Sequence, residues 1–161
     1  MQNHTQLPTG LSFSYETERL ILRLPSTDYL REIHDFLYRN RSCFEKYEPT
    51  APENYYTLDF QQTLARCELK LALKLSSGRF YVFLKEDPST IIGTVCLHNI
   101  IKMPYFTSEV GYKFDASYQH HGYAREALSM ALSVGFYGLG LHKIFARCMP
   151  ENTPSKNLLL S

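Results

Sequence analysis

The run "SYQHHGYAREAL", residues 117–128, holds the most distinctive spacing in the chain. Gln119, Gly122 and Ala124 form a Q-x-x-G-x-A pattern that follows a β-like run and opens a helix-like one. A helix start leaves about four backbone N–H groups without partners, and its dipole end is positive. Gly122 has no Cβ, so backbone there can come close to a ligand. Such a turn is an anion pocket suited to a pyrophosphate, held by N–H groups rather than side chains. His120 and His121 are adjacent and point in different directions, with no partner pattern, so they make a poor metal site. They are expected to be incidental loop residues.

The elements that must position this turn follow from periodicity. "ERLILRLP" reads as a first strand ending at Pro25. "STDYLREIHDFLYRN" reads as a helix capped by Ser26 or Thr27, with Leu30, Ile33 and Leu37 at helical spacing. "KYEPTAPENYYT" is a Pro- and Tyr-rich loop, and the stripe from Thr57 through Leu64 and Leu71 to Leu75 is a second helix ended by Gly78. "RFYVFLKE", "TIIGTVCLHNI" and "YFTSEVGYKF" are β-branched and aromatic runs separated by "DPS" and "KMP", hence three consecutive antiparallel strands. Ala124 to Leu139 forms an amphipathic helix and "HKIFARCM" a strand. The last helix is capped by Thr153, with Pro154 in its first turn. The order is that of an α+β domain, and one domain is expected for 161 residues.

Composition narrows the function classes. Seventeen Lys+Arg against sixteen Asp+Glu leave +1, and no basic cluster marks a nucleic-acid binder. The four cysteines (Cys43, Cys67, Cys96, Cys148) form no C-x-x-C pair, so no zinc knuckle is expected and reduced thiols in a cytoplasm are. No apolar run approaches a membrane span, and the amino terminus carries no signal-peptide pattern. The glycines of "GFYGLG" follow a helix, not a strand, and read as helix termination.

"EVGY", "GYAREAL", "LGLHKI" and "PENTPS", in this order and spacing, together with the opening "TERLILRLP", resemble the GCN5-related N-acetyltransferase (GNAT) superfamily, in its RimJ/RimL-like branch. The resemblance is weak over residues 30–80 and strong after Glu109. It implies an α/β/α sandwich with a mixed, mainly antiparallel sheet, and acetyl-CoA as co-substrate with no metal. Gly111, Tyr112, Lys113 and Phe114 would offer backbone groups to the pantetheine arm. Gln119, His120, His121, Gly122, Tyr123 and Ala124 would hold the pyrophosphate through their N–H groups. Asn152 would bond the pantetheine or its loop, and Ser155 would sit near the thioester sulfur and protonate the leaving thiolate. Glu109 is the candidate base, since a protonated amine cannot attack a thioester. Plainer roles stand beside these: a solvated carboxylate for Glu109, and helix capping for Asn152 and Ser155. Some relatives place a glutamate at the end of the preceding strand, where this chain has Ile101 and Lys102.

The implied acceptor is a primary amine: the N-terminus of a ribosomal or other protein, or a small amine. Glu48 and Glu53 in the Tyr-rich loop would suit a cation. No direct contact with nucleic acid or membrane is expected, and the chain is expected to act as a monomer or homodimer. Family members continue past a sequence like "SKNLLLS" with two more strands, so the domain is expected to be truncated at its C-terminus, with an exposed strand edge. A non-catalytic acyl-CoA-binding module on the same fold is the rival reading.

Overall fold

The computed structural model describes residues 10–161. Six strands form one sheet in sequence order, from β1 (Ser14–Glu16) and β2 (Leu20–Arg23) through β3 (Gly78–Leu84) and β4 (Asp87–Ile101) to β5 (Thr107–Phe114) and β6 (Lys143–Phe145). All neighbours are antiparallel except β5 and β6, which are parallel. Five helices accompany the sheet: α1 (Leu30–Arg39), α2 (Arg41–Phe44), α3 (Leu58–Leu73), α4 (Tyr123–Ser133) and α5 (Thr153–Leu160). This is the expected α+β architecture.

Strand alternation sorts the apolar residues between two cores. Leu20, Leu22, Phe80, Val82, Val95, Leu97 and Val110 pack with Ala127, Leu128 and Ala131 of α4. The alternate positions Tyr81, Phe83 and Ile91 pack with Ile33, Phe36 and Leu37 of α1 and with Phe44 of α2. Helices therefore cover both faces of the sheet. Burying one large aliphatic or aromatic side chain contributes roughly 1.5–3 kcal/mol, so each face is firmly committed to its helices.

Several boundaries depart from the periodic reading. β1 was not expected; it pairs with β2 through Tyr15 and Leu22 and is too short to show a pattern of its own. The first helix splits into a 3₁₀ turn, Thr27–Tyr29, capped by the Ser26 hydroxyl, and α1 proper. The "DPS" residues, expected as a turn, lie inside β4, which is 15 residues long and irregularly paired with β3. α4 stops at Ser133 and widens into a π turn, Val134–Gly138, rather than running to Leu139. A Cβ at Gly135 would come within 2.5 Å of Ile144 Cδ1, so the widened turn lies close against β6. The expected strand over residues 142–149 pairs only at Lys143, Ile144 and Phe145.

Candidate active site

β5 organises the site. On one side it pairs with β4 as far as Phe114; on the other it pairs with β6 only at Thr107, Ser108 and Glu109. From Val110 to Phe114 that second edge has no ladder partner among the described residues. Unpaired strand edges accept another extended chain. The open edge is formed by Gly111, Tyr112, Lys113 and Phe114 together with Val110, and it leads directly into the 115–122 loop.

The side chains of β5 divide between the two faces. Val110, Phe114 and, partly, Tyr112 join the core under α4. Tyr112 reaches α5, its hydroxyl 2.8 Å from Ser155 Oγ, and it also donates to the Ser155 carbonyl at 3.2 Å. Burial pushes the Tyr112 phenol up, and the hydrogen bond from Ser155 counters this. On the opposite face Glu109 lines a cleft of about 440 Å³ with Leu71, Ser76, Ser77, His98 and Asn99. Arg147 approaches the Glu109 carboxylate at 3.7 Å. Lys113, on the Glu109 face, pairs with Glu48 at 2.8 Å and lies over the Phe44 ring. Burial draws its ammonium down, against the pull of Glu48. Glu48, expected with Glu53 to suit a cationic acceptor, is paired with the Lys113 cation.

The 115–124 loop is braced from both ends. Asp115, 3% exposed, receives the Arg39 guanidinium and caps the 3₁₀ turn Ala116–Tyr118 through Ser117 N–H at 2.8 Å. Burial alone would raise its carboxyl. The hydrogen bonds from Arg39, Ser117 N–H and Asn40, with the Arg39 charge, hold it below its ordinary value. Gln119 ends the 3₁₀ turn, its N–H directed to the Ala116 carbonyl. His120 and Gly122 both adopt left-handed backbone, with φ of 66° and 81°. Alternating conformations of this kind turn successive N–H groups toward one concavity. Gly122 occupies the N-cap position of α4, where no side-chain cap hydrogen bond is made. His121 makes local contacts, its Nδ1 lying 2.8 Å from the Gln119 carbonyl and its ring stacking on Tyr123.

One clasp was invisible in the sequence. Glu126 of α4 accepts from Thr17 Oγ1 at 2.6 Å, Arg19 N at 2.8 Å and Arg19 Nε at 2.8 Å. Arg19 in turn donates to the His121 carbonyl at 2.9 Å and lies over the Tyr123 ring. Burial would raise the Glu126 carboxyl, but the donors from Thr17 and Arg19 outweigh it and hold it low. Two of the motifs behind the resemblance, "TERL" and "GYAREAL", therefore bind each other across the fold.

At the far end Asn152, not Thr153, caps α5, accepting from Ser155 N–H at 3.3 Å. Asn152 thereby orients the turn that carries Ser155. A further cleft residue, His98, escaped the sequence reading altogether; only the pairing of His98 with Glu109 in the β4–β5 ladder reveals it. Among the described residues no group of His, Cys, Asp and Glu could hold a metal ion, and no helix is long and apolar enough to cross a membrane.

Comparison with known proteins gives these features a family. YjcK of Bacillus subtilis (strain 168) is 31% identical over 120 residues, 74% of this chain and 66% of that protein. The [ribosomal protein uS5]-alanine N-acetyltransferase of Escherichia coli (strain K12) is 26% identical over 144 residues, 89% of this chain and 73% of that one. Matched stretches in two other Bacillus relatives span only 48% and 50% of their lengths. The crystal structure of ribosomal-protein-S5-alanine acetyltransferase from Vibrio fischeri superposes with a TM-score of 0.85 at 28% identity, covering 91% of this chain and 80% of that one. The family model described as an acetyltransferase (GNAT) domain matches residues 19–161, from Arg19 of the clasp through the loop it holds to the last helix. The chain belongs to the GNAT acetyltransferase family.

Proposed function

We propose that this chain is an N-acetyltransferase that moves the acetyl group of acetyl-CoA to a primary amine by direct attack, acting in the cytoplasm. The observation that carries the reading is the β5 edge that opens beyond Glu109 and leads into the uncapped start of α4. The fit to the co-substrate is good on this chain's own features. An extended pantetheine arm matches an unpaired strand edge, and a pyrophosphate matches convergent N–H groups beside a glycine. Gly111, Tyr112, Lys113 and Phe114 would hold the arm, and residues Gln119 to Ala124 the pyrophosphate. When bound, acetyl-CoA supplies an acetyl group activated as a thioester.

The chain's residues do the rest from opposite faces of β5. On the cleft face Glu109 receives the amine and serves its deprotonation, because only the neutral amine is a nucleophile. Backbone donors of the open edge stabilise charge developing on the acetyl oxygen. On the other face Ser155, held by Asn152 and Tyr112, gives a proton to the departing sulfur. The carboxylate's position in the cleft favours catalysis over a purely acyl-CoA-binding role.

The acceptor class proposed is a protein N-terminal α-amine, including those of ribosomal proteins. Support comes from the Escherichia coli and Vibrio fischeri relatives, both named for the alanine N-terminus of a ribosomal protein. A titration with acetyl-CoA and CoA, followed by thiol release against N-terminal peptides and small amines, tests the reading. Micromolar CoA binding with faster release on peptides is expected. Absence of CoA binding would overturn the proposal, and binding without release on any acceptor would favour the acyl-CoA-binding module.

A further inference from the structure

Resting on that reading of the site, we propose that His98 is the base that takes the proton from the acceptor amine, while Glu109 holds the amine as a cation beside it. His98 and Glu109 are directly paired across the β4–β5 ladder, so their side chains leave the same face of the sheet. Both line the cleft formed with Leu71, Ser76, Ser77 and Asn99. The His98 ring leans over Gly111: a Cβ there would come within 2.9 Å of Nε2. The missing side chain at 111 therefore lets Nε2 lie against the strand whose far edge is open to the thioester arm.

The other ring nitrogen is already engaged. Nδ1 lies 3.4 Å from Cys96 Sγ, and Cys96 Sγ lies 3.5 Å from Ser77 Oγ. In the tautomer whose Nδ1–H donates to that sulfur, the one this proposal requires, Nε2 carries the bare lone pair of a base. The charged and titratable groups facing the ring are few. Arg79 on β3 is bound to Glu68 of α3 at 2.7 Å; Cys96 lies on β4; Glu109 on β5 has Arg147 as its partner. Burial first and then Arg79 draw the imidazole below its ordinary 6.5, and Glu109 pushes it back. That direction favours the neutral ring.

Proton affinity favours this division of labour. An α-amine has a pKa of about 7.7–8.0, an imidazole about 6.5 and a glutamate about 4.3, so the imidazole is the closer match for proton transfer. A carboxylate is the better partner for the incoming ammonium. Nε2 first takes one proton from the bound ammonium and passes it to solvent, which frees the lone pair that forms the N–C bond, and it takes the second proton from nitrogen once that bond has formed. The C–S bond breaks with its electron pair left on sulfur, which Ser155 protonates, and solvent then restores the serine proton and removes the one on the imidazolium.

The test begins with the intact chain and a peptide acceptor that the wild type acetylates. His98→Gln is expected to lower kcat/KM by about 10²–10³-fold, the range of a lost general base, with the CoA Kd unchanged. Wild-type kcat/KM should rise with pH through the His98 titration, and His98→Gln should lose that limb. Added imidazole should restore turnover to His98→Ala. Nitrogen-15 NMR of the cofactor-free protein should find the Nδ1–H tautomer, titrating below 6.5 and lower still in Glu109→Gln. Activity of His98→Gln within threefold of wild type, with an unchanged pH profile, would overturn the proposal. So would an Nε2–H tautomer. Failure of the wild type to bind CoA would instead sink the acetyl-transfer reading, and the NMR arm, needing no cofactor, would still decide the state of His98.

Discussion

Gly122→Val separates the backbone's role in the anion pocket from that of its neighbours. Gly122 sits at φ 81°, where an added Cβ meets Arg19 Nη2 at 3.3 Å. A non-glycine residue in left-handed backbone loses about 1–2 kcal/mol, and a β-branched side chain lies at the upper end. For a domain of this size each kcal/mol lowers Tm by about 2–4 °C, so a loss of about 4–8 °C is expected. The fold should survive that. The pocket should not, because relief of the strain means turning the peptide and its N–H groups away from their common focus. Calorimetric titration with CoA should show affinity falling by at least about 100-fold, or about 2.7 kcal/mol. His120→Ala combined with His121→Ala is the control. It leaves every loop N–H in place and removes only the His121 bond to Gln119 and its stacking on Tyr123. That variant should bind CoA within about fivefold of wild type, since one exposed hydrogen bond contributes about 1 kcal/mol. A Gly122→Val protein that unfolds as expected but binds CoA normally would refute the assignment of the pyrophosphate to these backbone groups. So would a histidine variant that loses binding.

Tyr112→Phe removes the phenol that holds Ser155 and should lower kcat by about 5–10-fold at unchanged CoA Kd, read in single-turnover thiol release. Ser155→Ala should lower it further, by about 10–100-fold, without altering the acid limb of the pH profile. Asp115 titrates below its unfolded value, so its stabilisation is complete above about pH 4 and fades as pH falls through the folded value. Asp115→Asn should therefore flatten the acid side of the stability-versus-pH curve below pH 4 and lower stability at pH 7, followed by urea unfolding. Glu68→Ala leaves Arg79 in a largely buried site without its carboxylate and should remove about 3 kcal/mol, seen as a lower urea midpoint at constant m.

Local signals in the sequence were strong where one element or one turn contains the whole physical cause. The glycine at the start of α4, the three central strands and the apolar stripe of α3 all depend on residues a few positions apart, and each is found in the fold. Features that need two distant segments were not legible. His98 looks like any strand histidine until the β4–β5 register sets it opposite Glu109. Glu48 looks like a loop carboxylate free to receive a substrate until Lys113, 65 residues later, is folded onto it. β1 and α2, at three and four residues, are shorter than any period that could announce them. The capping shift from Thr153 to Asn152 is a one-residue matter that only backbone geometry decides.

The Arg19–Glu126 clasp makes ligand affinity a report on the completeness of folding. Its partners lie 107 residues apart, so the loop acquires its final shape only after the first hairpin and the fourth helix have met. A chain in which either segment is detached keeps most of its sheet yet presents a slack loop to an anion. Because a ligand stabilises only the state that binds it, CoA should shift the thermal transition of the closed chain and leave a chain lacking the clasp almost unmoved. The difference between those two shifts measures the free energy that one carboxylate on α4 lends to joining the two ends of the fold.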